Sequence, residues 1–441
     1  MKRAVIFFIT YIMLASMSCV ESTVFAKTSG DFEYEVTEDN TATITGYSGG
    51  ENDLVIPEVL DGYTVKKLDD FAFTNNENLK SVELNASLAE MGIGCFQFCE
   101  KLEKVKFNGK LKKIEYAAFK MTGLKTVDLP DSITDLNGFE YTKIKEITIP
   151  ASVKTIGTFC FWNCPLTKVN FNNKLETIES YAFCGCESLE KIKLPKSLKT
   201  IESDAFCHAN ISSVNIPEKV TNIGIDGSDF GVFSETLEKI TVSKNNKKFS
   251  AKNGILYNKK KTELVYYPPY RLRATFKTPT YIKSIGEAAF NRAPIGTVTV
   301  TGNVKTVKKK AFVYADIKKV VFKKGVKTIG KYAFDSSEII EVKLPKGLKR
   351  IADSTFSASS LRKVNIPKSV KSIGEEAFFG TDIKKITVPA TVKKIGKYAI
   401  GIKYGECGSY GGVDKNTVIR CKKNSAAHKY AKKYKVRYKL I

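Results

Sequence analysis

Histidine is nearly missing from this chain, with two in 441 residues, at positions 208 and 428. Most imidazole-based catalysis and most zinc or iron sites need several convergent His side chains, and that chemistry is excluded here for want of ligands. Asp and Glu are scattered without a paired signature, so acid–base work by two carboxylates has no candidate either. Gly92-Ile-Gly94 lacks the third glycine of a nucleotide-binding loop. Cys207 and His208 adjoin in sequence, which does not set them face to face as a nucleophile and its base. After the first 26 residues no run is apolar enough to span a bilayer. These absences point to a non-catalytic chain with no cofactor, no metal site and no later transmembrane segment.

What is present is apolar residues and positive charge. The apolar share of 43% is enough for a sizeable core and excludes global disorder. The length suggests two or three domains, or one repeat array. Net charge is +25, and it is unevenly placed. Residues 27–300 carry 35 basic and 35 acidic side chains, whereas 301–441 carry 34 basic and 10 acidic. The chain is therefore neutral through its middle and strongly cationic in its last third, where an anionic partner would meet it.

Lys2 and Arg3 precede an apolar run from Ala4 to Ala15, and Val24-Phe25-Ala26 has the small-residue character of a signal-cleavage site. Residues 1–26 therefore read as a secretory signal. Cys19 follows Ser16-Met17-Ser18, a poor match to a lipoprotein signal. The expected location is extracellular, either secreted or held non-covalently at a surface.

Internal self-similarity dominates the remainder. Val326 to Phe334 (V-K-T-I-G-K-Y-A-F) matches Val370 to Phe378 (V-K-S-I-G-E-E-A-F), each followed by a stretch such as Leu361-Arg-Lys-Val-Asn-Ile-Pro367. An anchor Phe recurs at 73, 96, 119, 139, 161, 183, 206 and 233, then at 290, 312, 334, 356 and 378, with Ile400 in its place last. From Phe290 onward the step is always 22 residues, while Phe233 to Phe290 is 57, which marks an insertion. A unit this short cannot bury its apolar side alone, so the units must stack as a solenoid. Leu-x-x-Val-x-Ile alternates as a strand, and Pro150, Pro195, Pro217, Pro345, Pro367 and Pro389 end it. The Ala-Phe step supplies a second column, with Ala where coils approach closely and Phe filling the interior. Trp162, next to an anchor, reads as wall packing. Gly after Ile, at 157, 224, 286, 330, 374 and 396, is expected in a turn that needs permissive backbone angles.

These motifs resemble the BspA-like leucine-rich repeat family of bacterial and protist surface proteins, over roughly Leu54 to Ile400. The resemblance implies a right-handed solenoid of about 22–23 residues per repeat with a parallel β-sheet on its concave face. It also implies an adhesion or interaction role without catalysis. The copy around Gly138-Phe139 is degenerate, lacking the Ala and the preceding Ile-Gly. Open solenoid ends expose apolar surface, so caps are required at both. The expected organisation is a β-hairpin cap over 27–53, repeats over 54–233, a hairpin-bearing insertion over 234–281, repeats over 282–400 and a cap over 401–441.

Outward positions of the strand, the third and fifth of each Leu-x-x-Val-x-Ile, form ladders across coils. The candidate binding face comprises Lys168, Lys191, Lys193, Lys239, Lys319, Lys343, Lys363, Asn365, Lys385 and Thr387. These residues also read as ordinary solvated strand positions, with Lys discouraging stray pairing. No aromatic stands in the ladders, so base stacking has no platform and specific nucleic-acid binding is not expected. The partner expected is an extracellular macromolecule: a host or matrix protein, or an anionic envelope polymer. A charge-driven scaffold on anionic wall polymers is the alternative.

Nine cysteines follow the signal. Cys99, Cys164 and Cys186 each lie three residues past an anchor, a buried column where Cys acts as a small apolar residue. The spacing of Cys95/Cys99 and Cys160/Cys164 follows from the repeat and lacks a second ligand pair for zinc. Export permits disulfides. Cys164/Cys186 and Cys184/Cys207 occupy equivalent places in adjacent coils, about 4.8 Å apart by strand spacing and within disulfide reach. Cys184–Cys207 is the candidate bond. Side-chain direction decides it, since stacked columns point parallel.

Overall fold

The structure is a computed structural model, and it describes residues 26–441 apart from 229, 272 and 406–409. Residues 1–25 of the signal segment, and Cys407, lie outside the described residues.

Each repeat makes one coil of three walls. The first wall carries the long strands, whose middle residues point inward and whose flanks point out, as in Glu146–Thr148 with Ile147 buried. The second carries two-residue strands at the x-Ile of Val-x-x-Ile-Gly, paired parallel coil to coil, for example Thr155↔Thr177↔Thr200. The third is the Ala-Phe step. It forms no strand, yet within each run of repeats the anchor N–H donates to the carbonyl preceding the next anchor: Phe161 to Ala182 at 2.9 Å, Phe378 to Ala399 at 2.9 Å. Backbone polar groups are thus paired between coils on all three sides, with interruptions on the long-strand wall.

The anchor rings fill the interior as one stack. Successive centroids lie 4.8–6.3 Å apart and almost parallel, from Phe290/Phe312 to Phe206/Phe233. The insertion does not leave this column empty. Tyr266 meets Phe233 edge-on at 6.0 Å, Tyr267 stacks on Phe290 at 5.3 Å, and the Tyr267 N–H makes the anchor's bond to Ala289 O at 2.8 Å.

The glycines after Ile have a different cause from the one their sequence position suggests. None of the six adopts a positive φ. A Cβ at Gly374 would lie 2.5 Å from the Asp353 nitrogen and 2.7 Å from the Ala352 carbonyl carbon, and Gly330 and Gly396 meet the preceding coil's backbone in the same way. Close approach between coils, not backbone freedom, demands Gly. The left-handed backbone falls instead two residues before the anchor, often on bulky side chains: Phe71 at φ 60, Phe159 at 60, Tyr181 at 60, Tyr332 at 57. Such a conformation costs about 1–2 kcal/mol per residue. It is held because it aims that residue's own N–H at the next coil, as in Phe71 to Ile93 O at 2.9 Å.

Residues 27–47 fold as three antiparallel strands, and the last, Thr41–Tyr47, pairs parallel with Tyr63–Leu68 of the first coil. Tyr47 covers the first anchor, its ring 5.5 Å from Phe73. At the other end Val418–Cys421 and Arg437–Leu440 extend the long-strand wall, with the helix Ala426–Lys433 between them. Ser425 caps that helix, its hydroxyl accepting the His428 N–H. The Tyr430 hydroxyl accepts from Ile400 N at 2.9 Å and donates to Ile400 O at 3.1 Å, so one side chain takes both bonds that a further coil would have taken.

Candidate functional site

All ten residues of the candidate face are exposed on the long-strand wall. Their register is parallel: Glu146↔Lys168, Ser213↔Lys239, Thr297↔Lys319↔Glu341↔Lys363, and Lys343↔Asn365. Adjacent rungs lie close enough for opposite charges to pair. Lys168 Nζ is 3.4 Å from Glu146 and Lys363 Nζ is 3.9 Å from Glu341, and Lys106 meets Glu83 at 2.8 Å in the first coils. The Lys106 hydrogen bond holds the Glu83 carboxyl below its usual range. Such exposed pairs contribute little to stability. Among the described residues Lys191, Lys193, Lys239, Lys319, Lys343 and Lys385 have no carboxylate within salt-bridge distance.

The wall is not one sheet. It is divided into five parallel sheets, with Lys319, Lys343, Lys363 and Asn365 together in one and Lys385 and Thr387 in the last. Lys191 and Lys193 lie on a segment without ladder bonds, and with Lys168, Asn170 and Phe171 they line a shallow groove. Lys239 stands apart, in a larger groove where the insertion begins, beside Arg271 and Arg273. A further groove runs between the C-terminal helix and the short-strand wall, lined by Lys393, Lys394, Lys429 and Lys433. Reading only the long-strand positions missed these last six cations. The charge excess of residues 301–441 was the available signal for four of them, and nothing in the repeat pattern pointed to Arg271 or Arg273.

Cys184 and Cys207 lie side by side, with Cα atoms 4.5 Å apart and sulfurs at bonding distance. The column three past the anchor is polar in use: Cys99, Cys164 and Cys186 thiols donate to Phe73 O, Phe139 O and Phe161 O at 3.0–3.2 Å. Ser337 and Ser359 hydroxyls do the same within their own coils at 2.7 Å. Burial pushes the Cys99 thiol up to about 11 and Cys164 to about 12, far from a nucleophile's range. His208 Nδ1 contacts Glu235 at 3.1 Å on the surface, and His428 Nδ1 accepts from Asn424 N at 3.0 Å within the cap. Trp162 sits in an outer aromatic cluster, 5.1 Å from both Tyr141 and Phe159. Among the described residues no group of three or more His, Cys, Asp or Glu is placed to hold a metal ion, and no helix is long and apolar enough to cross a membrane.

Glu140 is the one buried carboxylate of the degenerate copy. It is fully buried beside the anchor Phe139, its Oε1 accepts the Ala117 N–H at 3.3 Å, and its Oε2 has no partner. Burial raises its carboxyl to about 7.

The model of the BspA type leucine rich repeat region matches residues 53–139, 135–261 and 283–403. Among solved structures, the chain is similar to a leucine-rich cell surface protein from Faecalibacterium prausnitzii, with 24% identity, TM-score 0.52, and coverage of 92% of this chain and 97% of the other. A leucine-rich repeat protein from Bacteroides ovatus matches at 20% identity and TM-score 0.45, over 95% and 100% of the two chains. The pneumococcal vaccine antigen PcpA matches at 18% identity and TM-score 0.47, over 95% and 98%. No curated protein sequence matches.

Proposed function

Because this chain belongs to the BspA-type leucine-rich repeat family, we propose that it is an exported, surface-associated and non-catalytic solenoid that binds an extracellular macromolecule along its long-strand wall. The observation that carries this reading is the run of exposed cations on that wall, Lys319, Lys343 and Lys385, without carboxylate partners. A rigid coil stack holds them in register, so a partner meets a preorganised ladder and loses little entropy in ordering it. The F. prausnitzii structure, described as a cell surface protein, supports the location.

The groove beside the C-terminal helix favours a second reading, retention on anionic wall polymers by charge alone. Lys393, Lys394, Lys429 and Lys433 face it, in the segment that holds nearly all of the net charge. Salt separates the two, because a charge-only contact weakens steeply between low and physiological ionic strength. Purified chain is incubated with matrix, envelope and wall fractions at both salts. The first reading expects retention at physiological salt that Lys343→Glu with Lys385→Glu abolishes. The second expects retention only at low salt, lost with Lys393→Glu and Lys429→Glu. If no fraction holds the protein at either salt, both readings fail.

A further inference from the structure

Arg271 is a half-buried guanidinium with no acid to neutralise it. Among the described residues no carboxylate lies within salt-bridge distance of Arg271, Arg273 or Lys239. Arg is seldom withdrawn from water without a partner. All three cations line a groove of about 1100 Å³ where the insertion begins, against one acidic side chain, Glu238. Tyr270 stands in the same groove with its ring half-exposed.

The cations converge because the backbone beneath them is pinned. Tyr270 N donates to Leu237 O at 3.0 Å, which ties the returning chain to the residues leading into the strand Lys239–Val242. Ile240 N donates to Gly254 O at 3.0 Å, so the turn of the hairpin Phe249–Lys252 and Ile255–Asn258 closes against that strand. The Tyr267 hydroxyl donates to Arg271 O at 3.3 Å. A Cβ at Gly254 would lie 2.8 Å from an Arg271 guanidinium nitrogen and 3.4 Å from Lys239 Cγ. The guanidinium and the lysine stem therefore meet over one glycine, which has φ +76 and no side chain to separate them.

We propose that this groove binds an acidic sugar unit of an extracellular glycan, one that carries a carboxylate or a sulfate ester. A guanidinium presents a planar fork that takes either oxyanion through two parallel hydrogen bonds. Arg271 and Arg273 supply the forks, Lys239 adds a point charge, and Tyr270 packs on the C–H face of the pyranose. Half-burial of Arg271 keeps water from competing for the oxyanion, which a cation on an open strand face does not do. An acidic side chain of a peptide offers the oxyanion but no ring-sized apolar face. Successive nucleic-acid bases need several aromatic platforms, and this groove has one. The site goes beyond the ladder reading above and shares only Lys239 with it.

The test is titration calorimetry of the full chain at physiological salt with ligands of equal charge. These are trigalacturonate, maltotriose bearing three sulfate esters, a capped triglutamate and a thymidine tetranucleotide, with unmodified maltotriose as the neutral control. At least one acidic trisaccharide is expected to saturate a single site below about 1 mM, about fivefold or more tighter than the peptide or the nucleotide. The better of the two trisaccharides names the oxyanion, and neutral maltotriose should not bind. Arg271→Lys keeps the charge and loses the fork, and Arg273→Gln alters an exposed side chain; each should weaken binding about tenfold or more. Tyr270→Ala should erase the preference for sugar over peptide. Circular dichroism and thermal melting check that the variants remain folded, and the ligand comparison needs no variant at all. Absence of saturation by either acidic trisaccharide at about 1 mM overturns the inference. Equal or tighter binding of the peptide or the nucleotide does so as well, since it leaves a charge contact only. Lys343→Glu with Lys385→Glu leaves saccharide binding unchanged, which keeps this result separate from the outcome of the ladder test.

Discussion

Glu140 makes stability depend on pH in a direction opposite to most carboxylates. Its carboxyl is raised from 4.5 to about 7 because burial penalises the charged form, outweighing the help of the Ala117 N–H and Lys120. The folded state therefore binds a proton more tightly than the unfolded chain between these values. Linkage then requires stability to fall as pH rises through that window. A difference near two and a half units corresponds to about 3 kcal/mol. The favourable contribution is complete below about pH 4.5 and is lost above about 7. Glu140→Gln removes the titration while keeping the oxygen that accepts from Ala117, at the cost of a buried amide donor that is present at every pH. The assay is urea unfolding of both proteins from pH 5 to 8. The wild-type stability should fall relative to the variant by about 2.5 kcal/mol across that range, the remainder lying below pH 5. Buried Asp204 and half-buried Asp335, whose carboxyls are also raised, titrate in both proteins and cancel in the difference. Parallel pH curves for the two proteins would refute the reasoning.

Two further outcomes follow from coil contacts. Gly374→Ala forces a methyl against the Asp353 nitrogen and should cost about 1–3 kcal/mol, whereas Gly347→Ala, whose nearest neighbour is 3.5 Å away, should shift the urea midpoint hardly at all. Cys184 and Cys207, 23 residues apart, should appear as one linked peptide in a non-reducing mass map, and Cys184→Ser should cost about 3 kcal/mol by the loop-entropy model. In the same map the buried thiols of Cys95, Cys99, Cys160, Cys164 and Cys186 should resist iodoacetamide at pH 8 until the protein is unfolded. Finding Cys184 and Cys207 both alkylated in the native protein would contradict the pairing.

The sequence came close to the fold because a short repeat leaves few ways to bury it. Anchor Phe and alternating strand residues recur along the array, with Pro ending many of the strands, so one misread copy is outvoted by the others. The site was less legible. Lys168 and Lys363 look like free ladder cations until their Glu neighbours are placed one coil away. The glycines after Ile look like turn glycines because sequence shows which residue lacks a side chain and not which backbone lies against it.

From the sequence by itself come the period, the stack of aromatic anchors, the need for two caps and the cationic last third. All of these are sums or repeats along the chain, and burying a periodic apolar pattern has one economical solution. Only the tertiary structure decided that Tyr267 carries the column across the insertion, that Glu140 is sealed inside, and that the long-strand wall breaks between Val242 and Arg273. Each of these depends on which residues face one another across coils. That is set by the path of the inserted chain, which obeys no repeat and so leaves no periodic trace in the sequence.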